Sequence, residues 1–223
     1  MGRPREALQE YDRIEPRRIG PFFNQRAILR AVGNSGNQAP EAAEELRTGP
    51  SVRLKAGQLA LYGDLVGAAA AANTLAPESV ELLHYQAVRA AVERRWGEAV
   101  PALRALIASA RAAPGGTAGA LRATTLEATS LLGLALLEQG DAAAALEVLG
   151  AADTLGTCSF QGAARMPTIL VTRARAQERL GHLDEARKDL DRLLAQWKDA
   201  EPGLPLRAEA RAMRERLGAP ASR

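Results

Sequence analysis

Residues 131–149 read LLGLALLEQGDAAAALEVL, and the reading of this stretch decides the fold. Leu132, Gly133 and Leu136 recur at helical spacing, so they share one face of a first helix. Gly140 and Asp141 then break the pattern. A Gly can close a helix in a left-handed conformation, and an Asp directly after it suits the next helix N-terminus. Beyond the turn, Ala145 and Leu149 again share one face. The stretch is therefore a helical hairpin, with small residues where its two helices approach and Leu where it meets its neighbours.

The same phrase, a Gly or polar turn, an acid, then Ala ahead of spaced apolar residues, occurs six times. Its other copies are Gly2 to Leu8, Pro40-Glu41-Ala42, Gly63-Asp64 leading to Ala68, Trp96-Gly97-Glu98-Ala99, and Gly181-His182 leading to Ala186. Each opens the second helix of a hairpin. Leu83, Ala87, Ala90, Ala99, Leu103 and Leu106 carry the pattern of residues 131–149 without its Gly. Helices are expected at 4–14, 21–32, 40–48, 52–62, 65–75, 78–94, 98–112, 118–138, 142–154, 167–180, 183–197 and 205–217. Pro167 is read as a helix start. The segments around Pro114-Gly115-Gly116 and from Gly156 to Pro167 are read as inserted loops, since both combine turn residues with broken periodicity.

Composition agrees with an all-α chain. Of 223 residues, 47% are hydrophobic, 25% charged and only 4% aromatic, and about a fifth are Ala. Ala is the best helix former, whereas the residues that favour strands are sparse and never alternate. The formal charge is +3. Basic residues such as Arg104, Arg187 and Arg192 alternate with acids such as Glu98, Asp189 and Asp191, so no basic tract forms and nucleic acid is not an expected partner. Cys158 is the only cysteine, which rules out an intramolecular disulfide. No signal sequence opens the chain, and the longest apolar run, Leu65 to Ala72, falls far short of the ~20 residues that cross a bilayer. A cytoplasmic location without membrane insertion is expected.

No chemistry-bearing motif stands out. His84 and His182 lie far apart without metal-ligand spacing. Cys158 has no activating neighbour in sequence. There is no Gly-x-Ser-x-Gly elbow and no glycine-rich phosphate loop, His-Arg-Asp or Asp-Phe-Gly motif. Catalytic residues, cofactor and metal are all expected to be none. Trp96 and Trp197 are read as plugs at hairpin ends.

The small-large pattern of the hairpins resembles that of tetratricopeptide repeats. Toward the C-terminus, Gly181-His182, Glu185-Ala186-Arg187, Trp197-Lys198-Asp199-Ala200-Glu201-Pro202 and Leu204-Pro205-Leu206 stand in sequence. From about Gly162 to Leu217 this resembles the C-terminal tetratricopeptide array of bacterial eukaryotic-like serine/threonine protein kinases and related regulators. The resemblance implies a right-handed α-solenoid of degenerate hairpins over 1–223: degenerate repeats at 1–76, better-defined ones at 78–198, and a capping helix at 203–218. It implies a scaffold or sensor module that binds a peptide or partner protein in a concave groove. The alternative is a fragment of, or accessory to, a kinase or transcriptional regulator with nucleotide or nucleic-acid binding elsewhere. Mapped onto this chain, the groove positions are His84, Tyr85, Ser130, Thr172, Arg175 and Arg179. Leu8, Tyr11 and Ile14 form an apolar stripe on the first helix, expected to meet a second copy or an upstream domain.

Overall fold

The structure is a computed structural model, described here for residues 3–13, 40–48, 54–112, 118–155, 160–201 and 203–218. Among these residues every regular element is a helix. They are α1 (Pro4–Asp12), α2 (Pro40–Thr48), α3 (Lys55–Leu61), α4 (Leu65–Ala72), α5 (Val80–Val92), α6 (Trp96–Ala112), α7 (Ala118–Glu138), α8 (Ala142–Gly150), α9 (Ala152–Leu155), α10 (Phe160–Arg179), α11 (Leu183–Gln196) and α12 (Pro205–Gly218).

Four antiparallel pairs, α3/α4, α5/α6, α7/α8 and α10/α11, are each joined by the same turn. Its residues are Gly63-Asp64, Arg94-Arg95, Gly140-Asp141 and Gly181-His182. The first residue of each turn has positive φ, 90°, 56°, 90° and 77° in order. Its N–H returns to the carbonyl three residues back, and the next N–H returns five back, as in Gly140 to Leu137 and Asp141 to Leu136. This double closure satisfies carbonyls that a helix end leaves open. Asp64 and Asp141 then accept from the amides of Gly67 and Ala144 and so cap the following helix.

From each cap the packing follows a fixed register. Four residues on stand Ala68, Ala99, Ala145 and Ala186, all fully buried. Eight residues on stand Ala72, Leu103, Leu149 and Leu190, and eight residues before stand Ala56, Ala87, Gly133 and Ala174, all buried. Small residues on the first helix thus admit the larger ones of the second. The first helices also contact one another in order, α3 with α5, α5 with α7, and α7 with α10, while α6 packs on α7 and α8 on α10. From α3 onward chain order is therefore spatial order. α12 covers α11 and α10 through Ala210, Met213 and Leu217.

The structure corrects two expectations. The second turn is Arg94-Arg95 and not Gly97, because helix α6 already begins at Trp96. Pro167 lies inside α10, which starts at Phe160, so residues 160–166 are helix and not loop. The helix expected at 21–32, with Ile14 and Cys158, falls outside the described residues. The first turn of α1 lies against residues 199–201 of the same chain. No helix among the described residues is long and apolar enough to cross a membrane.

Candidate functional site

A buried polar cluster is assembled from the first helices. His84 on α5, Glu127 on α7 and Arg165 on α10 meet where the three helices adjoin. His84 Nε2 donates to Glu127 Oε1 at 2.8 Å and Arg165 Nη2 donates to Glu127 Oε2 at 2.7 Å, so each carboxylate oxygen has its own donor. The His84 and Glu127 side chains are 1% and 7% exposed, and Arg165 keeps 18%. Burial alone would push the Glu127 carboxyl up. The Arg165 charge and the hydrogen bond from His84 outweigh it and hold the group down at about 2. Burial likewise disfavours the Arg165 cation, and the Glu127 charge more than restores it.

Helix α3 closes the cluster from the other side. The Tyr62 hydroxyl is buried beside Arg165 and Glu127 without a hydrogen bond to either. Burial first, and then the Glu127 charge, push it up to about 12 against the opposing pull of Arg165. Gly57 lets the imidazole lie flush against α3: a Cβ there would stand 2.0 Å from His84 Nδ1. Nδ1 and Gln58 Oε1 make no hydrogen bond either. What the arrangement does chemically is hold one ionised carboxylate between a guanidinium and an oriented imidazole, joining three successive first helices.

A second ionic cluster joins α9, α10 and α11. Arg173 Nε and Nη2 donate to Asp189 Oδ2 and Oδ1 at 2.6 and 2.5 Å, and its Nη1 donates to Asp153 Oδ2 at 2.5 Å. Arg192 Nη1 adds a bond to Asp153 Oδ1 at 3.2 Å. The bidentate fork is the strong geometry for this pair. Burial would raise the Asp153 carboxyl, but the bonds from Arg173 and Arg192 hold it below the usual range. A separate cavity of about 370 Å³ lies between α2 and the α3–α4 turn, lined by Pro40, Ala43, Arg47, Tyr62, Gly63 and Asp64. Arg47 crosses it to pair with Asp64 at 3.1 Å.

Of the six expected groove residues, His84, Tyr85, Ser130 and Thr172 are buried, at 1%, 7%, 5% and 2% exposure. They present no surface to a partner in this arrangement, because the adjoining first helices pack over the face that carries them. Tyr85 accepts a hydrogen bond from Arg89 Nη1 at 3.0 Å, and the guanidinium carbon lies 5.9 Å from the ring centroid. Arg175 pairs with Glu209 of α12, and Arg179 donates to the Leu137 carbonyl at the end of α7. Both keep solvent contact. Sequence reasoning missed Glu127, Arg165 and Tyr62. One signal was present for Glu127, the only charge between Arg122 and Glu138. Among the described residues no group of three or more His, Cys, Asp or Glu is placed to hold a metal ion.

The fold and these clusters define an all-helical protein of serially packed hairpins with a charge-tied interior. No family model matches the chain, and no curated protein or solved structure gives a significant match to it.

Proposed function

We propose that this chain is a protein-interaction module, an α-solenoid of degenerate tetratricopeptide-like hairpins that serves as the scaffold or sensor arm of a signalling system. The observation that carries the reading is the recurrence of one turn with one register. At 63–64, 94–95, 140–141 and 181–182 the same hydrogen bonds precede an Ala at the fourth residue after the cap. Units of this kind, stacked by contacts with their neighbours, are how repeat arrays build extended partner surfaces.

The partner class follows from what the first helices leave in solvent. Gln86, Arg89, Arg175 and Arg179 keep exposure there, beside the acids Glu138 and Glu178, the latter paired with Arg216. Arg89, Arg175 and Arg179 already hold internal partners, but a guanidinium has five N–H donors, so donors remain for a carboxylate. An acidic peptide is the partner these residues fit.

Panning a display library of random linear peptides against the full chain tests this. Selected peptides should be acidic, and titration calorimetry should show at least about tenfold weaker binding to the Arg175→Glu, Arg179→Glu variant. Its circular dichroism should stay that of the wild type and its stability should fall by only ~1–2 kcal/mol, the loss of the Arg175–Glu209 pair and of one part-buried bond from Arg179 to Leu137. Selected binders indifferent to the two substitutions, or a chain stabilised by ATP and a divalent cation and by no peptide, would overturn the reading.

A further inference from the structure

We infer that the corner formed by residues 197–201 with Gly203 and Leu204 is a receptor for a helix N-terminus, and that α1 is its resident occupant. The first turn of any helix leaves amide N–H groups without partners, and a side-chain acceptor at the N-cap normally takes one. Helix α1 has no such acceptor. Its N-cap position is Arg3, which can only donate, and Pro4 at the first helical position has no N–H. The missing acceptor comes from the far end of the chain: Glu201 Oε1 accepts the amides of Arg5 at 2.7 Å and Glu6 at 3.1 Å. Arg3 Nε donates to the Asp199 carbonyl at 3.0 Å, and the Arg5 guanidinium lies 3.8 Å from Glu201 Oε2. A carboxylate in this place also faces the positive end of the helix dipole.

The corner is built independently of α1. Trp197 and Leu204 anchor it in the core, each at 3% exposure. Arg207 of α12 donates to the carbonyls of Ala200 at 3.0 Å and Lys198 at 2.9 Å, which fixes the loop that carries Glu201. Pro4 is buried and the Glu201 side chain is only 12% exposed. Beyond this first turn, α1 packs broadly on none of the other described helices. The contact is therefore a plug at one end of a helix, seated in a pre-shaped acceptor, and it can be exchanged for another helix with open N-terminal amides.

The test uses the full chain. Arg3→Glu with Arg5→Glu sets two carboxylates beside Glu201 and unseats the chain's own α1 while leaving the corner intact. A fluorescently labelled peptide of residues 1–13 is then titrated and followed by anisotropy. With an intramolecular effective concentration on the order of 1 mM, a contact populated ten to one requires a free-peptide Kd of ~0.1 mM or below. The expected result is saturable binding to the unseated chain in that range, about tenfold weaker binding to the wild type, and loss of binding when Glu201→Ala is added. No saturable binding to an unseated chain with wild-type circular dichroism and melting, or equal affinity for both chains, would overturn the inference. If the unseated chain does not fold, hydrogen exchange decides: Glu201→Ala should strip protection from residues 5–12 alone, and unchanged protection there refutes the plug.

Discussion

A Cβ built on Gly133 would stand 2.4 Å from Leu149 Cδ2 and 2.5 Å from its Cγ. Leu149 is fully buried, so it has no room to withdraw. Gly133→Ala should therefore cost ~1–2 kcal/mol in urea melts, because overpacking outweighs the ~1 kcal/mol that Ala contributes to a helix over Gly. In a Leu149→Ala background the same change should become stabilising, since only the propensity term is left. The same sign in both backgrounds would show that the two residues do not meet.

Arg94 turns the chain between α5 and α6 at φ 56°. A side chain with a Cβ is strained there by ~1–2 kcal/mol, and the equivalent turns at 63, 140 and 181 use Gly. Arg94→Gly is expected to raise stability by ~1 kcal/mol while Arg94→Ala does not. Thermal melts of the two variants check this, and a Gly variant that melts below the Ala variant would contradict the turn geometry.

His182 holds the cap position of α11 without a side-chain bond to the helix, whereas Asp64 and Asp141 make that bond. His182→Asp should add ~0.5–1 kcal/mol, the lower end reflecting the carboxylates of Asp184 and Glu185 already in the first turn. His182→Ala is the control and should gain nothing.

Glu127 is held at about 2, below the ordinary carboxylate value near ~4.3. A depressed folded-state value means stability that is present above the unfolded value and lost as pH falls from ~4 toward 2. The amount is on the order of 3 kcal/mol. Glu127→Gln leaves Arg165 without its counter-charge and should cost ~3–5 kcal/mol at pH 7. Denaturant melts at pH 7, 4.5, 3.5 and 2.5 should show the gap between wild type and variant narrowing. A constant gap would mean that the carboxylate is not ionised against Arg165.

Much of the hairpin grammar was open to reading from the residues. Gly63, Gly140 and Gly181 mark their turns because an abrupt helix end needs positive φ, and Gly supplies it at no steric cost. Ala68, Ala99, Ala145 and Ala186 mark the close approach, each with no solvent exposure. Arg94 shows where this fails: the same two returning amide bonds close a left-handed turn on a residue that does not advertise it. Pro167 fails for a related reason, since packing on α7 and α8 carries the helix through a residue that by itself signals a start.

The candidate site was less legible, and the reason is distance along the chain. A cap four residues before an Ala is a local relationship, set by 3.6 residues per turn and bonds that close within one hairpin. That periodicity by itself determined an all-helical chain of small-large hairpins. Whether His84 points into solvent or onto Glu127, 43 residues away, depends on how one hairpin is set against the next. The same holds for Glu201, which finds the Arg5 amide across 196 residues. Only the tertiary packing decided these, because a buried carboxylate takes whatever donors the neighbouring helices bring within reach, and no local spacing encodes which ones those are.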